Sequence, residues 1–166
     1  MRFVPRAAHC SRENPRPVGV ANRWIVGHDQ VGDSMTGGVE GIRTKMLARR
    51  RGLSDGATAQ ASALVVERLL GLPELLSAGT VGAYMGVRGE VDPSLLRNDR
   101  RFEVALPVVS TGEALRFVVP DEPLLPGPYG IPQPGSGREL DPCSLDVVLV
   151  PLVAADLRGN RVGHGA

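Results

Sequence analysis

The sequence predicts an α/β fold, a three-layer α/β/α arrangement around a mainly parallel sheet. Three observations carry this expectation. Strand-like and helix-like segments alternate along the chain instead of clustering by type. The runs 80–85 and 146–152 are almost wholly apolar, as strands covered on both faces are. The stretches following them are rich in glycine and polar residues. They lie where such sheets bind ligands, outside the carboxyl ends of the strands.

Taken in order, Thr36 is placed to cap a first helix and Gly52 to end it. Ile42 and Met46, four apart, point to a core, while Arg43 and Arg50 face elsewhere. Such a basic face is either solvated or a ligand contact. Ser54 or Asp55 caps a second helix whose apolar stripe is Ala61, Leu64, Val65, Leu69 and Leu72. Gly71 and Pro73 stop it, and Leu75–Leu76 add a short turn. A buried strand follows over 80–85, then the turn Gly86-Val-Arg-Gly89. Pro93 suits the first turn of a helix running to about Arg97. Strands are expected over 102–109 and 115–119, a Pro/Gly-rich loop over 120–142, and the most hydrophobic strand over 146–152.

The 166 residues suit one domain, expected over 36–166. Residues 1–35 sustain no period and are expected to be an unstructured extension, with Met35 an alternative start. A formal charge of +1 and 4% aromatic residues argue against a nucleic-acid binder. No apolar run reaches the roughly 18 residues of a membrane helix, and no secretory signal is recognisable. Cys10 and Cys143 lack the spacing of a zinc site or a disulfide framework and read as ordinary thiols in a reducing cytoplasm.

Two segments are placed for chemistry. In Gly159-Asn160-Arg161-Val162-Gly163-His164-Gly165, glycines let the backbone approach a polyanion, and Arg158 and Arg161 can grip phosphate. The same composition also makes an ordinary surface turn, and His164 an ordinary loop residue. The segment matches neither the Gly-x4-Gly-Lys-Ser/Thr loop nor the Gly-x-Gly-x-x-Gly fingerprint. Asp156 orients Arg161 or a metal, or simply forms a turn. In the second segment, 84–90, Glu90 can accept two hydrogen bonds from an amino-pyrimidine edge or serve as a first-turn acid of the next helix.

Five segments in order resemble the 5-formyltetrahydrofolate cyclo-ligase (methenyltetrahydrofolate synthetase) family. They are Arg43…Arg49-Arg50…Leu53-Ser54, Tyr84-Met85-Gly-Val-Arg-Gly89-Glu90-Val91-Asp92, Leu106-Pro107-Val108-Val109, Leu125-x3-Tyr129-Gly130-Ile131-Pro132-Gln133-Pro134, and Val150-Pro151-Leu152-x3-Asp156-x2-Gly159-Asn160-Arg161-Val162-Gly163-x-Gly165. The resemblance implies a cytoplasmic ligase, expected to be a monomer, or an oligomer where the truncated edge is exposed. It would use ATP and Mg2+ to convert 5-formyltetrahydrofolate to 5,10-methenyltetrahydrofolate through a phosphorylated formyl oxygen. It also implies residue roles. Arg43, on the first helix, would contact the nucleotide and the folate, and Arg43 and Arg161 would be the catalytic residues. Gly159, Asn160, Arg161, Gly163 and Gly165 would wrap the triphosphate. Met85 and Glu90 would line the folate pocket.

The family carries a lysine four residues before Arg43, and this chain has Val39 there. One lost charged contact of that kind costs on the order of 1.5–3 kcal/mol of binding. The family continues past the Gly-rich loop with Gly-Gly-Tyr-Tyr-Asp, whose aspartate is associated with magnesium. The resemblance therefore implies a C-terminally truncated copy with no metal ligand of its own. The competing readings are an inactive remnant that keeps a folate or phosphate pocket, and an unrelated sugar-phosphate enzyme of similar layout.

Overall fold

The computed structural model describes residues 38–110 and 113–163. The expected extension over 1–35, the cap at Thr36, and His164 and Gly165 lie outside them. The described residues fall into two compact units, one of residues 54–150 and one of 38–53 with 151–163.

In the larger unit, helix α2 (Asp55–Leu70) starts where Ser54 accepts a hydrogen bond from the Ala57 amide at 3.2 Å, and it ends at Gly71. The short helix α3 (Pro73–Leu76) begins on its proline. Strands β1 (Thr80–Gly82), β2 (Glu103–Val108), β3 (Arg116–Pro120), β6 (Gly137–Leu140) and β7 (Val147–Val148) form one sheet in the order β6-β3-β2-β1-β7. β1 runs parallel to both β2 and β7, with Val81 opposite Val104 and Val147. β3 and β6 add antiparallel pairs on one side. β4 (Leu125–Pro126) and β5 (Pro132–Gln133) form a separate hairpin between β3 and β6. The α/β expectation holds: the parallel ladders run through β1, with helices packed on the sheet.

Strand alternation divides the core. Val81, Ala83, Val104 and Leu106 point to one face, where Val66 of α2, Leu75 of α3 and Leu96 pack on them. Ala105 points the other way, with Phe117 and Leu140 and the partly buried Val119 and Leu145. Gly82 lies on this second face, and a Cβ there would come within 3.0 Å of both Leu145 and Phe117. The segment Pro93–Asn98 is a 3-10 helix capped by Asp92, not an α-helix, and it seats Leu96 in the core.

Three expectations need correction. The buried line on α2 runs through Ser62 and Val66, while Leu64 is 48% exposed, so the helix is rotated about one position from the predicted stripe. Residues 120–142 are not all loop. Gly137–Leu140 pairs with β3, although only Leu140 of the four is buried, so no alternation announced it. The strand predicted over 146–152 shrinks to Val147–Val148 at the sheet edge, with Val148 46% and Val150 53% exposed. Of the two residues read as ordinary thiols, Cys10 lies outside the described residues. Among the described residues no helix is long and apolar enough to cross a membrane.

Asp146 clasps the starts of β1 and β7. Its Oδ2 accepts from the amides of Gly79 and Thr80, both at 2.9 Å, and from Thr80 Oγ1 at 3.1 Å. Asp146→Ala is expected to lower unfolding stability by about 1.5–3 kcal/mol, because these donors lose a charged acceptor. Urea titration checks this; an unchanged midpoint would contradict it.

In the smaller unit, helix α1 (Val39–Arg51) precedes Gly52, whose amide returns to the Ala48 and Arg49 carbonyls. Ile42 and Met46 are half-buried and no α1 residue is fully buried. Strands β8 (Ala154–Ala155) and β9 (Arg161–Val162) form a two-stranded hairpin, with Ala155 opposite Arg161.

Candidate functional site

The described site residues form two groups, one in each unit. In the smaller unit the Gly-rich segment is the β8–β9 turn. Asp156 organises it: its Oδ1 accepts from the Arg158 and Asn160 amides, both at 2.9 Å. Its Oδ2 accepts from Asn160 Nδ2 at 2.7 Å. The Asp156 amide donates to the Asn160 carbonyl at 3.0 Å, and the Gly159 amide to the Asp156 carbonyl at 3.1 Å. Gly159 sits at φ 85°, a left-handed position that glycine takes without a Cβ penalty. Of the two readings of Asp156, the structure shows the turn-forming one, and both carboxylate oxygens are engaged within the turn.

That geometry holds the Asp156 carboxyl below its ordinary value of 3.8, chiefly through the Asn160 side-chain hydrogen bond, then through the Asn160 and Arg158 amides. A depressed folded-state value means that the stabilisation is fully present above the ordinary aspartate range and is lost as pH falls through the folded value. The turn is therefore expected to stay ordered at neutral pH and to loosen only in acid below that range. Chemical shifts of the Arg158 and Asn160 amides followed against pH test this; a transition near neutrality would contradict it.

Arg43 joins α1 to the end of this hairpin. Its Nε donates to the Gly163 carbonyl at 2.9 Å across 120 positions of sequence, and its Nη1 pairs with Glu40. Its side chain is only 20% exposed. Arg161 lies on β9, two residues before that contact, and Gly163 has open space where a Cβ would be. The structure thus brings Arg43, Gly159, Asn160, Arg161 and Gly163 into one local assembly. Arg43 is held on that assembly by a hydrogen bond from its own guanidinium. Val39 opens α1 at 58% exposure, one turn before Arg43.

In the larger unit Met85 and Glu90 lie on the loop that leaves the carboxyl end of β1. Met85 packs against the main core and is half-buried. The Glu90 amide donates to the Val87 carbonyl at 3.1 Å, and Glu90 Oε2 accepts from the Val87 amide at 3.4 Å. Arg88 and Tyr129 both adopt left-handed backbone conformations, at φ 54° and 60°. For residues with a Cβ this costs about 1–3 kcal/mol each and clusters at functional sites. Arg88 Nη2 donates to the Tyr129 carbonyl at 3.4 Å, linking the β1 loop to the β4–β5 hairpin. Gln133 of that hairpin accepts from the Val109 amide at the end of β2, at 3.3 Å.

Sequence reasoning missed Ser62 and Asp92. Ser62 is the buried polar side chain among the described residues, and it is hydrogen-bonded to Asp92. The one signal was Asp92 before Pro93, a capping pair at a helix start.

Comparison with known proteins agrees with this architecture. The sequence model of the 5-formyltetrahydrofolate cyclo-ligase family matches residues 36–166. A 5-formyltetrahydrofolate cyclo-ligase of Haemophilus influenzae is 32% identical over 133 residues, which cover 75% of this chain and 71% of that protein. The NMR structure of Aquifex aeolicus 5,10-methenyltetrahydrofolate synthetase superposes with a TM-score of 0.68 at 34% identity, covering 77% of this chain and 68% of that one. The Mycoplasma pneumoniae 5,10-methenyltetrahydrofolate synthetase, at 17% identity, shares the fold with a TM-score of 0.58 over 78% of this chain and 73% of its own.

Proposed function

Because this chain belongs to the 5-formyltetrahydrofolate cyclo-ligase family, a family of ligases, we propose that it closes 5-formyltetrahydrofolate to 5,10-methenyltetrahydrofolate with conversion of ATP to ADP and phosphate. The observation that carries the reading is the Arg43–Gly163 hydrogen bond. It gathers two arginines and a glycine-rich turn, the residue types that hold a polyphosphate, in a chain whose family match spans them.

The formyl oxygen attacks the terminal phosphorus of ATP, and the bond to ADP breaks. The neighbouring folate nitrogen then attacks the formyl carbon. The carbon–oxygen bond breaks, phosphate leaves with the former formyl oxygen, and the nitrogen's proton passes to solvent. Such a transfer is driven by positioning and charge neutralisation and needs no protein nucleophile. Arg161 and Arg43 hold and neutralise the transferring phosphoryl group. Gly159, Asn160, Gly163 and Gly165 wrap the triphosphate. Glu90 accepts two hydrogen bonds from the amino-pyrimidine edge of the substrate, and Met85 packs on its ring.

The described residues offer no protein-built cage for magnesium. Among the described residues no three His, Cys, Asp or Glu side chains stand together as a metal-holding group. Both Asp156 oxygens are committed to their turn, and Glu40 is paired with Arg43. Magnesium characteristically keeps its waters and binds through substrate phosphates.

The test incubates the purified chain with 5-formyltetrahydrofolate, ATP and magnesium, and scores methenyl product against ADP. Equimolar appearance of both supports the reading. No product above the no-enzyme blank would contradict it and favour a chain that only binds.

A further inference from the structure

The loop carrying Met85 and Glu90 is tied to α2 by a short chain of hydrogen bonds. Ser62 Oγ donates to the Thr58 carbonyl at 2.8 Å and accepts from the Asp92 amide at 3.0 Å. Asp92 Oδ1 in turn accepts from the Gly86 amide at 3.1 Å and from the Ser94 amide at 3.0 Å. Both ends of the segment 86–92 are therefore fastened at one residue. The closure is tight: a Cβ on Gly86 would lie 2.7 Å from the Asp92 Cα and 2.9 Å from the Val91 carbonyl oxygen. Glu90 sits inside this closed segment, itself folded back on Val87.

Ser62 is 5% exposed on the face of α2 that packs into the core. Helix propensity alone favours alanine at such a position, and a buried hydroxyl is costly unless its hydrogen bonds are made. Here its hydroxyl both donates and accepts, and the bond it accepts comes from the loop. The hydroxyl therefore orders the loop rather than the helix.

We propose that Ser62 and Asp92 are positioning residues that hold Glu90 and Met85 in the arrangement that receives the folate substrate. This rests on the reading above, in which Glu90 contacts that substrate. Neither residue touches the substrate. Their effect is to spare the substrate the work of ordering the loop on binding, which appears in substrate affinity rather than in phosphoryl transfer.

The test compares wild type, Ser62→Ala, Asp92→Ala and Asp92→Asn by melting temperature, by KM for 5-formyltetrahydrofolate and for ATP, and by equilibrium binding of 5-formyltetrahydrofolate. Asp92→Ala is expected to raise the folate KM and Kd about tenfold, the scale of one or two lost hydrogen bonds, with the ATP KM within about twofold. Ser62→Ala, which fits a helix and keeps the fold, is expected to raise the folate KM about three- to tenfold. Asp92→Asn keeps an oxygen that can accept from both Gly86 and Ser94, and it is expected to restore the folate KM to within about twofold. A lowered melting temperature with an unchanged folate KM in both alanine variants would overturn the proposal. So would equal rises in both KM values. A wild-type chain that neither turns over nor binds 5-formyltetrahydrofolate would overturn the functional reading and this inference together, whereas an active wild type with indifferent variants overturns the inference alone.

Discussion

Arg161→Ala is expected to lower kcat/KM for ATP-dependent ring closure by about two to three orders of magnitude, the scale seen when a charged donor to a transition state is removed. On β9, backbone pairing to β8 sets Arg161 opposite Ala155. Removing the side chain leaves that ladder in place, and Arg161 is an exposed residue, so the melting temperature is expected to move by only a few degrees. Activity and stability therefore separate. Arg161→Lys is expected to recover part of the loss, because an ammonium supplies charge without the planar fork that grips two phosphate oxygens. A kcat/KM within about threefold of wild type for Arg161→Ala would remove Arg161 from the reacting group.

Leu96→Ala is expected to destabilise the chain by about 2–5 kcal/mol, the cost of a cavity in a core that cannot collapse. Leu96 is 0% exposed and lies in one cluster with Val66, Val81, Val104 and Leu106. Its 3-10 segment is fixed at the start by Asp92 and Pro93, so the backbone has little freedom to follow the lost volume. Native domains are stable by only about 5–15 kcal/mol, so this single change takes a large share. The neighbouring Leu95, 48% exposed, is the control, and Leu95→Ala is expected to stay within about 0.5 kcal/mol. Equal urea midpoints for the two variants would contradict the packing described.

How far the sequence foretold these features depends on where the information lies. The ends of α2 were legible because capping is local chemistry: Ser54 before the helix, Gly71 and Pro73 after it. β2 was legible because burial on both faces needs a continuous apolar run, and so was the start of β1, which ends at Gly82 although the apolar run continues to Met85. β6 was not, since three of its four residues are exposed and its place beside β3 is set by pairing across the sheet. The rotation of α2 was hidden for a related reason. The helix turns a serine into the core, and that makes sense only once the Asp92 amide is known to reach it. In the Gly-rich turn, composition marked the residues, yet only the fold reveals that Arg43 donates to Gly163 from a helix far away in sequence. Asp156, ambiguous on paper, is resolved by its bonds to Arg158 and Asn160.

The most direct measurement of the central claim follows an isotope. The purified chain is given ATP, magnesium and 5-formyltetrahydrofolate carrying heavy oxygen in its formyl group, and the released phosphate is analysed by mass spectrometry. Attack of the formyl oxygen on the terminal phosphorus carries the label into phosphate, one labelled phosphate for each methenyl product formed. Unlabelled phosphate alongside product, or no product at all, would contradict the claim.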